Sequence, residues 1–278
     1  MAKRSIRMVC CMNALVPTHQ LFKQQIANSF SRCASTYNQV AELQRRVADQ
    51  LLSRLPKQSI NNVVDLGTGT GYALPRLRKN YPDAKLLGVD LAEGMLNYIA
   101  SNRVETAGEL NLICADAENL PFADQSLDLI YSSLSVQWCR DYSKLFDECY
   151  RVLKPAGQLH IATLGPKSLW QLREAWQQVD SDQHVNEFLP LDALIESSRL
   201  LQLNSCDVET IELSYGDLSS LLKALKTLGA SVVEGRSASG LGGRERLRLL
   251  NQAYQTLRRP DGLLPLSYEV YFMSWTKA

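Results

Sequence analysis

Short apolar runs alternate with amphipathic stretches through the middle of the chain. The runs are rich in Val, Leu and Ile and predict strands, whereas the stretches between them carry apolar residues every three or four positions and predict helices. The predicted strands cover residues 62–66, 85–90, 110–115, 127–131 and 158–164. The predicted helices cover residues 37–55, 72–80, 93–103 and 142–153. Repeats of this length predict a doubly wound, Rossmann-like parallel sheet that binds its ligand at the carboxyl ends of the strands.

The alternation weakens after residue 168. Two further strand patterns, 208–215 and 268–276, flank a helical stretch that is rich in Gly and Arg. We expect both strands to complete a mostly parallel, seven-stranded α/β sheet, and residues 168–265 to contain a helical cap over the pocket. The first apolar stretch of the chain, residues 8–12, follows basic residues as in a signal peptide, but it is short and is interrupted by Asn13. This leaves secretion as a minor alternative. We therefore expect residues 1–27 to be a disordered leader before a single domain over 28–278, with 62–164 as its ligand-binding core.

Three alternating glycines directly follow the first of these strands: Gly67, Gly69 and Gly71. The strand carries Asp65, and the next strand ends in a second acid, Asp90. A strand, a turn without side chains and an acid on the following strand form a pocket for an adenosyl group. A dinucleotide pyrophosphate needs a glycine at the sixth place of the turn, where this chain has Tyr72. The pattern instead resembles motif I of the class I S-adenosylmethionine-dependent methyltransferases, whose ligand carries a cationic methionine moiety that suits Asp65.

The residues around this turn supply candidates for each part of such a ligand. Asp90 is placed for a bidentate contact to two ribose hydroxyls, and Asp116 with the Ala117 backbone is placed at the adenine edge. Tyr37 is a candidate lid over the sulfonium. The full predicted set, in which Leu91 and Met95 pack on the ring faces, is Tyr37, Asp65, Gly67, Gly69, Gly71, Asp90, Leu91, Met95, Asp116, Ala117 and Ser132. The alternative is that the acids only end strands or cap helices and that Tyr37 is structural.

Composition narrows the function classes. A chain of 278 residues with 45% hydrophobic content is able to bury one substantial core. A net charge of +1 gives no support for nucleic acid or a membrane surface as partner, and no apolar run approaches the ~20 residues that a membrane span needs. The seven cysteines include no Cys-x-x-Cys pair, which favours free thiols in a cytoplasmic protein. The three histidines lie at no metal-ligand spacing, so we expect no metal, and we expect His160 to be a core residue.

Further stretches along the chain match one methyltransferase family more specifically than the glycine turn does. They are residues 29–37, 41–45, 119–122, 134–139, 150–155, 188–190, 225–230, 234–236 and 265–268. On these stretches the chain resembles, from about residue 28 to 275, the malonyl-[acyl-carrier-protein] O-methyltransferase family of biotin synthesis. The pair Gln137-Trp138 is shared with carboxylate methyltransferases of the trans-aconitate type, whereas 225–230 and 234–236 are the most specific segments. The turn 68–70 departs from the family, because it reads Thr-Gly-Thr where relatives carry Cys-Gly-Pro.

The resemblance implies S-adenosyl-L-methionine as methyl donor and the free carboxylate of a malonyl thioester on acyl carrier protein as acceptor, with malonyl-CoA as the alternative thioester. A carboxylate is ionised at neutral pH, so we assign positioning roles and no catalytic residue. The acceptor needs a cation, for which we name Arg236 first and Arg32 second. Gln137 is placed to hydrogen-bond the acid and Trp138 to wall the pocket. Each of these residues also has a structural alternative, as an ion pair or as core packing.

The acyl carrier is an acidic protein, so the resemblance also implies a basic docking surface. Candidates come from a run of arginines with one opposing glutamate: Arg244, Arg246 and Arg248. The alternative for this run is a solvated helix face.

Two other interpretations stay open. One is another small-molecule O- or C-methyltransferase, of the trans-aconitate or quinone type, and the other is a non-catalytic adenosyl-binding module. A nucleic-acid methyltransferase is disfavoured by the neutral charge balance. We expect a monomer that acts without nucleic acid or membrane.

Overall fold

The structure is a computed structural model that describes residues 5–7, 18–102, 109–229, 232 and 243–278. Its strands are β1 Ser5–Arg7, β2 Asn62–Leu66, β3 Lys85–Asp90, β4 Leu110–Cys114, β5 Leu127–Ser133, β6 Leu153–Leu164, β7 Gln202–Tyr215 and β8 Leu264–Thr276. Its helices are α1 Thr18–Tyr37, α2 Glu42–Ser53, α3 Leu74–Asn80, α4 Glu93–Ser101, α5 Tyr142–Val152, α6 Trp170–Gln177, α7 Leu191–Ser197, α8 Leu218–Thr227 and α9 Gly243–Gln255. A short 3-10 helix covers Val136–Trp138.

The strands of the described residues form one sheet in the order β1-β4-β3-β2-β5-β6-β8-β7. Strand β8 runs antiparallel to both of its neighbours, and the strands from β1 to β6 pair in parallel. All seven predicted strands lie in this sheet, and β1 adds an eighth at its edge. The prediction of a doubly wound, mostly parallel α/β sheet is confirmed.

Two hydrophobic cores lie on opposite faces of the sheet. Successive residues of β2 point to opposite faces, so Val63 belongs to one core and Val64 to the other. Helix α2 packs its leucines and valine into the first core, and α5 packs Phe146 into the second. His160 on β6 is buried, and this burial lowers the pKa of its imidazole to about 4, as expected for a core histidine. Covering both faces directs ligands to the ends of the strands.

The prediction of a disordered leader is wrong for residues 5–7, which form β1, and for residues 18–27, whereas the rest of the predicted leader lies outside the described residues. Helix α1 begins at Thr18, and Ile26 is buried in it. The helix was missed because its buried stripe is narrow, with polar residues between the apolar ones. The predicted helix 37–55 is also divided, because α1 ends at Tyr37 and α2 begins only at Glu42. The turn between them is held by the Thr70 hydroxyl, which donates to Asn38 Oδ1 at 2.7 Å.

Between β6 and β8, the described residues form helices α6, α7, α8 and α9 and the strand β7. Helices α6 and α9 pack on each other, and α6 also contacts β8. The cavities described below are lined by residues 23–139, so a wall contributed by 168–265 stays a prediction. In the part of the chain that the structure describes, no helix combines the length and the apolar character needed to cross a membrane.

Candidate functional site

The glycine turn after β2 has a backbone that ordinary residues do not adopt easily. Gly67 has φ +76° and Gly69 has φ +54°, both in the left-handed region. A Cβ on Gly67 would lie 1.9 Å from Ser135 Oγ, whereas a Cβ on Gly69 would meet nothing within 4 Å. The turn is tied to β3, because the N–H groups of Gly67 and Thr68 both donate to the Val89 carbonyl, at 2.7 and 2.9 Å. Gly69 therefore leaves open space where a side chain would stand.

Asp90, at the carboxyl end of β3, is fixed by the backbone on both sides. Its Oδ2 accepts the N–H of Gly69 at 2.8 Å, and its Oδ1 accepts the N–H of Ala92 at 2.8 Å. Burial raises the pKa of this carboxyl to about 6, although the backbone hydrogen bonds oppose the shift. Each oxygen keeps a lone pair for a ligand hydroxyl.

Asp65 lies at the carboxyl end of β2 and is almost completely buried. The Thr68 hydroxyl donates to its Oδ2 at 2.7 Å. Burial raises the pKa of Asp65 to about 7, the Thr68 hydrogen bond lowers it, and the charge of Asp90 raises it further. A nearby cationic group of a ligand would reverse this shift.

A cavity of about 770 Å³, part of it open to solvent, lies at the carboxyl ends of β2, β3 and β5. It brings together most of the predicted ligand-binding residues, namely Tyr37, Gly67, Gly69, Asp90, Leu91, Met95, Asp116, Ala117 and Trp138. Helix α1 contributes lining residues that the sequence analysis missed: Lys23, Ile26, Ala27 and Phe30. Their spacing of three or four residues was the available signal, hidden in a segment interpreted as a leader.

A second cavity of about 480 Å³ shares Tyr37, Gly67, Gly69 and Ser133 with the first. Its lining includes Asp65 and, from α2, Gln44 and Arg45. The Gln44 Oε1 atom is buried and has no hydrogen-bond partner among the described residues. A carboxylate, an amide oxygen and a guanidinium together suit a zwitterionic group. Residues 41–45 were a matching stretch of the sequence, which was the signal for Gln44 and Arg45.

Two residues of the predicted ligand set do not line either cavity. A Cβ on Gly71 would meet Ile99 and Leu74 side chains at 3.1 Å, so this glycine allows α3 and α4 to pack closely. Ser132 is fully buried and donates to the Leu66 carbonyl at 2.8 Å. Side chains alternate along β5, so the next residue, Ser133, faces the cavities instead. Ser132 therefore does not face the cleft, although its predicted role requires it to.

Among the residues predicted to bind the methyl acceptor, some line a cavity and others do not. Trp138 lines the larger cavity and packs edge-on against Phe30, with ring centroids 5.3 Å apart. Gln137 donates to the Leu134 carbonyl at 2.7 Å and lines neither cavity, while its buried Oε1 has no partner among the described residues. Arg32 is exposed on the opposite side of α1 from the cavity-lining residues, so its assignment as a substrate cation is wrong. Arg236 lies outside the described residues.

The predicted docking arginines lie on two sides of α9. Arg244 and Arg248 are exposed, and Arg248 pairs with Glu245 at 2.7 Å. Arg246 instead points inward, where its guanidinium binds Asp180 and, at 2.7 Å, Asp182. Its assignment to a docking surface is therefore wrong, because a helix separates neighbours two positions apart by about 200°.

One group of metal-ligand type occurs in the described residues. Oxygen and nitrogen atoms of Asp180, Asp182 and His184 lie within 4.8 Å of one another. Both carboxylates bind Arg246, and His184 Nε2 lies 2.7 Å from Asp180 Oδ1 while its ring stacks on Trp176 at 3.6 Å. The guanidinium already supplies the positive charge, so this group is a structural ion-pair cluster between α9 and the loop after α6.

Comparisons with known proteins agree with this geometry. The methyltransferase domain family matches residues 64–161. The chain is 41% identical over 254 residues, 90% of its length, to the biotin biosynthesis bifunctional protein BioHC of Cellvibrio japonicus, and covers 49% of that protein. It thus spans about half the length of the first curated relatives it matches. It is also 37% identical to the malonyl-[acyl-carrier protein] O-methyltransferase of Laribacter hongkongensis, over 92% of this chain and 90% of that protein.

Solved structures share the fold at low sequence identity. The YcgJ protein of Bacillus subtilis superposes with a TM-score of 0.57 at 16% identity, over 84% of this chain and 98% of that one. The geranyl diphosphate C-methyltransferase of Streptomyces coelicolor, solved with S-adenosyl-L-homocysteine, gives a TM-score of 0.50 at 15% identity, over 83% and 78% of the two chains. These likenesses show the class I fold. The family is shown by relatives that are 37% identical along nearly the whole length of both chains. This chain belongs to the malonyl-[acyl-carrier protein] O-methyltransferase family.

Proposed function

We propose that this chain transfers a methyl group from S-adenosyl-L-methionine to the free carboxylate of a malonyl thioester on acyl carrier protein. The product is a malonyl methyl ester, which primes synthesis of the pimelate moiety of biotin. The observation that carries the proposal is the identity of 37% over 90% of a relative that bears this activity in its name. The proposal includes a cytoplasmic monomer that needs no nucleic acid.

The residues that line the cavities suit the chemistry of the donor. Asp90 would hold the ribose hydroxyls through oxygens already fixed by the turn, and Leu91 and Met95 line the cavity where an apolar ring would lie. Asp65 and Arg45 line the second cavity with opposite charges, which fits the zwitterionic end of a methionine moiety. The open space beside Gly69 lets the ligand approach the backbone closely. When bound, S-adenosyl-L-methionine supplies an electrophilic methyl group on a sulfonium.

The chain then has to position an anion and exclude water. A malonyl carboxylate has an ordinary pKa near ~4, so it needs alignment and a cation rather than a base. Trp138 and Phe30 provide an apolar wall of the larger cavity. We retain Arg236 as the cation of the proposal, with Gln137 as a polar contact. Methylation masks the charge, which would cost several kcal/mol to bury in an apolar channel of a fatty-acid enzyme.

One assay tests this function. The protein is incubated with methyl-labelled S-adenosyl-L-methionine and with malonyl-, succinyl- or acetyl-carrier protein, and malonyl-CoA is offered in a parallel series. We expect label on malonyl-carrier that is released by mild base, and none on acetyl-carrier, which has no free carboxylate. Equal labelling of acetyl- and malonyl-carrier would rule out carboxylate methylation.

A variant at position 236 tests the proposed cation. Arg236→Met should raise KM for malonyl-carrier or lower kcat, because the acceptor carboxylate loses a charge-assisted hydrogen bond worth about tenfold or more. Donor affinity, measured by calorimetry, should stay unchanged. The exposed Arg199 provides a matched control, Arg199→Met. Unchanged turnover in Arg236→Met would remove this residue from the site.

A further inference from the structure

Helix α1 forms one wall of the larger cavity. Lys23, Ile26, Ala27 and Phe30 occupy positions i, i+3, i+4 and i+7, so they share the face of the helix that lines the cavity. The opposite wall consists of the turn after β2 and of residues at the carboxyl end of β3. A ligand in this cavity would therefore lie between α1 and the sheet, next to the part of the cavity that is open to solvent.

The contacts that attach α1 to the rest of the protein differ between its C-terminal end, its middle and its N-terminal half. At its C-terminal end, the turn after Tyr37 bonds to the glycine loop through Asn38. In the middle, the Gly94 N–H donates to Ser31 Oγ at 3.0 Å where α1 packs on α4. Towards the N-terminus, Leu21 is half exposed, and the Arg140 guanidinium lies over the Phe22 ring, 4.6 Å from its centroid. Lys23 makes the ion pairs of this half.

Lys23 makes two short ion pairs. Its Nζ lies 2.6 Å from Asp116 Oδ2 and 2.6 Å from Glu118 Oε2. The side chains of Lys23 and Glu118 are only 14% and 7% exposed, so solvent and salt screen the pairs weakly. Burial alone lowers the pKa of Lys23, but hydrogen bonds to both acids outweigh it and the net shift is upward. Glu118 also accepts the N–H groups of Arg140 and Asp141, at 2.7 and 3.3 Å, which fixes it to the loop after Trp138.

We propose that α1 is a lid over the donor cleft and that the ion pairs of Lys23 with Asp116 and Glu118 are its latch. The identity of the ligand beneath the lid rests on the proposed function. Lys23 is a positioning residue in this role, because it holds the helix and the Asp116 carboxylate in place rather than reacting. Opening the lid breaks both ion pairs, so the latch controls how fast the donor and its demethylated product leave the cleft.

Hydrogen exchange of the ligand-free protein tests the latch without any ligand. Lys23→Met keeps the length of the side chain but removes its charge, so we expect amides of residues 20–30 to exchange at least about tenfold faster. Lys23→Arg keeps the charge and should stay close to the wild-type rate. Lys223→Met on the exposed face of α8 is the matched control. Wild-type exchange over 20–30 in Lys23→Met would overturn the proposal.

Dissociation kinetics test the consequence for the cleft. S-adenosyl-L-homocysteine is displaced in a stopped-flow instrument while the tryptophan fluorescence of the protein, to which Trp138 in the cavity contributes, is recorded. We expect its dissociation rate to rise about tenfold in Lys23→Met and to be nearly restored in Lys23→Arg. An unchanged rate would overturn the latch. If the wild-type protein bound neither donor nor product, the proposed function would fail, and hydrogen exchange would still decide whether Lys23 holds α1.

Discussion

At the scale of single residues, two carboxyl groups lie close together at the glycine turn, with Asp65 buried and Asp90 half-buried. In the described residues neither Asp65 nor Asp90 pairs with a basic side chain, and their hydrogen bonds come from Thr68 and from backbone N–H groups. Burying an unpaired carboxylate is unfavourable, which is why the pKa of each is raised. The ionised forms of both carboxyl groups would therefore be stabilised by a positively charged ligand such as the donor.

This preference predicts a pH dependence of donor binding. Below about pH 7 the Asp65 carboxyl of the ligand-free protein takes up a proton, and a cationic ligand must displace it. Donor affinity should therefore rise as pH rises from 5.5 to 7.5, by at most about tenfold per pH unit. Asp65→Asn should bind more weakly at pH 7.5 and lose the dependence above pH 6, leaving only the contribution of Asp90 below it. Calorimetry at constant ionic strength measures this, and an unchanged slope in Asp65→Asn would assign the dependence elsewhere.

The sign for stability is opposite in the ligand-free protein. A raised pKa means that the folded state binds a proton which the unfolded state releases above its ordinary pKa near ~4. The contribution of Asp65 is therefore most favourable at acidic pH and declines as pH rises through about 7. Adding the donor should reverse this trend, because it binds the ionised form.

Variants at the two cavity-lining glycines, Gly67 and Gly69, should affect stability and donor binding to different extents. Gly69→Ala adds a methyl group to open space beside the turn, at a strain cost of about 1–2 kcal/mol, so the protein should fold but lose donor affinity. Gly67→Ala adds the same strain and drives Cβ into Ser135, so it should lose much more stability. Gly216→Ala, with open space and an ordinary φ, is the control. Thermal unfolding and calorimetry distinguish the variants, and full donor affinity in Gly69→Ala would contradict the open-space assignment.

At the scale of elements, the sheet was predictable and α1 was not. The strands β2 to β6 are marked by apolar runs because both faces of the sheet are covered. Helix α1 buries only a thin stripe that includes Ile26 and Ala34, and its remaining contacts come from distant segments. Such contacts depend on where the chain folds back, which local periodicity does not encode. The same limit applies to Ser132 and Ser133, since a one-residue difference in strand phase reverses which side chain faces the cleft.

The packing of α1 on α4 makes an element-scale prediction. A Cβ on Gly94 would lie 2.6 Å from Ser31 Cα, so backbone has to shift to accommodate it. Gly94→Ala should therefore push α1 away from the sheet and cost about 1–3 kcal/mol of unfolding free energy. We expect faster hydrogen exchange in α1 and weaker donor binding in this variant. Gly243→Ala at the start of α9 meets nothing within 4 Å and is the control; equal exchange in both would contradict close packing of α1 on α4.

At the scale of the whole molecule, the arginines of α9 have two different roles, because one forms a structural ion pair and the others are exposed to solvent. Arg246 joins α9 to the loop after α6 through Asp180 and Asp182, whereas Arg244 and Arg248 remain at the surface. From the sequence these arginines were indistinguishable, because the acids that select Arg246 lie more than sixty residues away. The fold decides which charges are available to a partner.

This division predicts opposite outcomes for arginine variants. Arg246→Met leaves two acids without their cation, so it should lower the midpoint of thermal unfolding by a few degrees. Arg244→Met with Arg248→Met should leave this midpoint unchanged but raise KM for malonyl-carrier about three- to tenfold at low salt, because an acidic carrier loses electrostatic attraction. That difference should vanish near 0.5 M salt, where the screening length falls to about 4 Å. Malonyl-pantetheine, which lacks the carrier protein, should be turned over equally by wild type and the double variant; salt-insensitive carrier turnover in the wild type would exclude α9 as the docking surface.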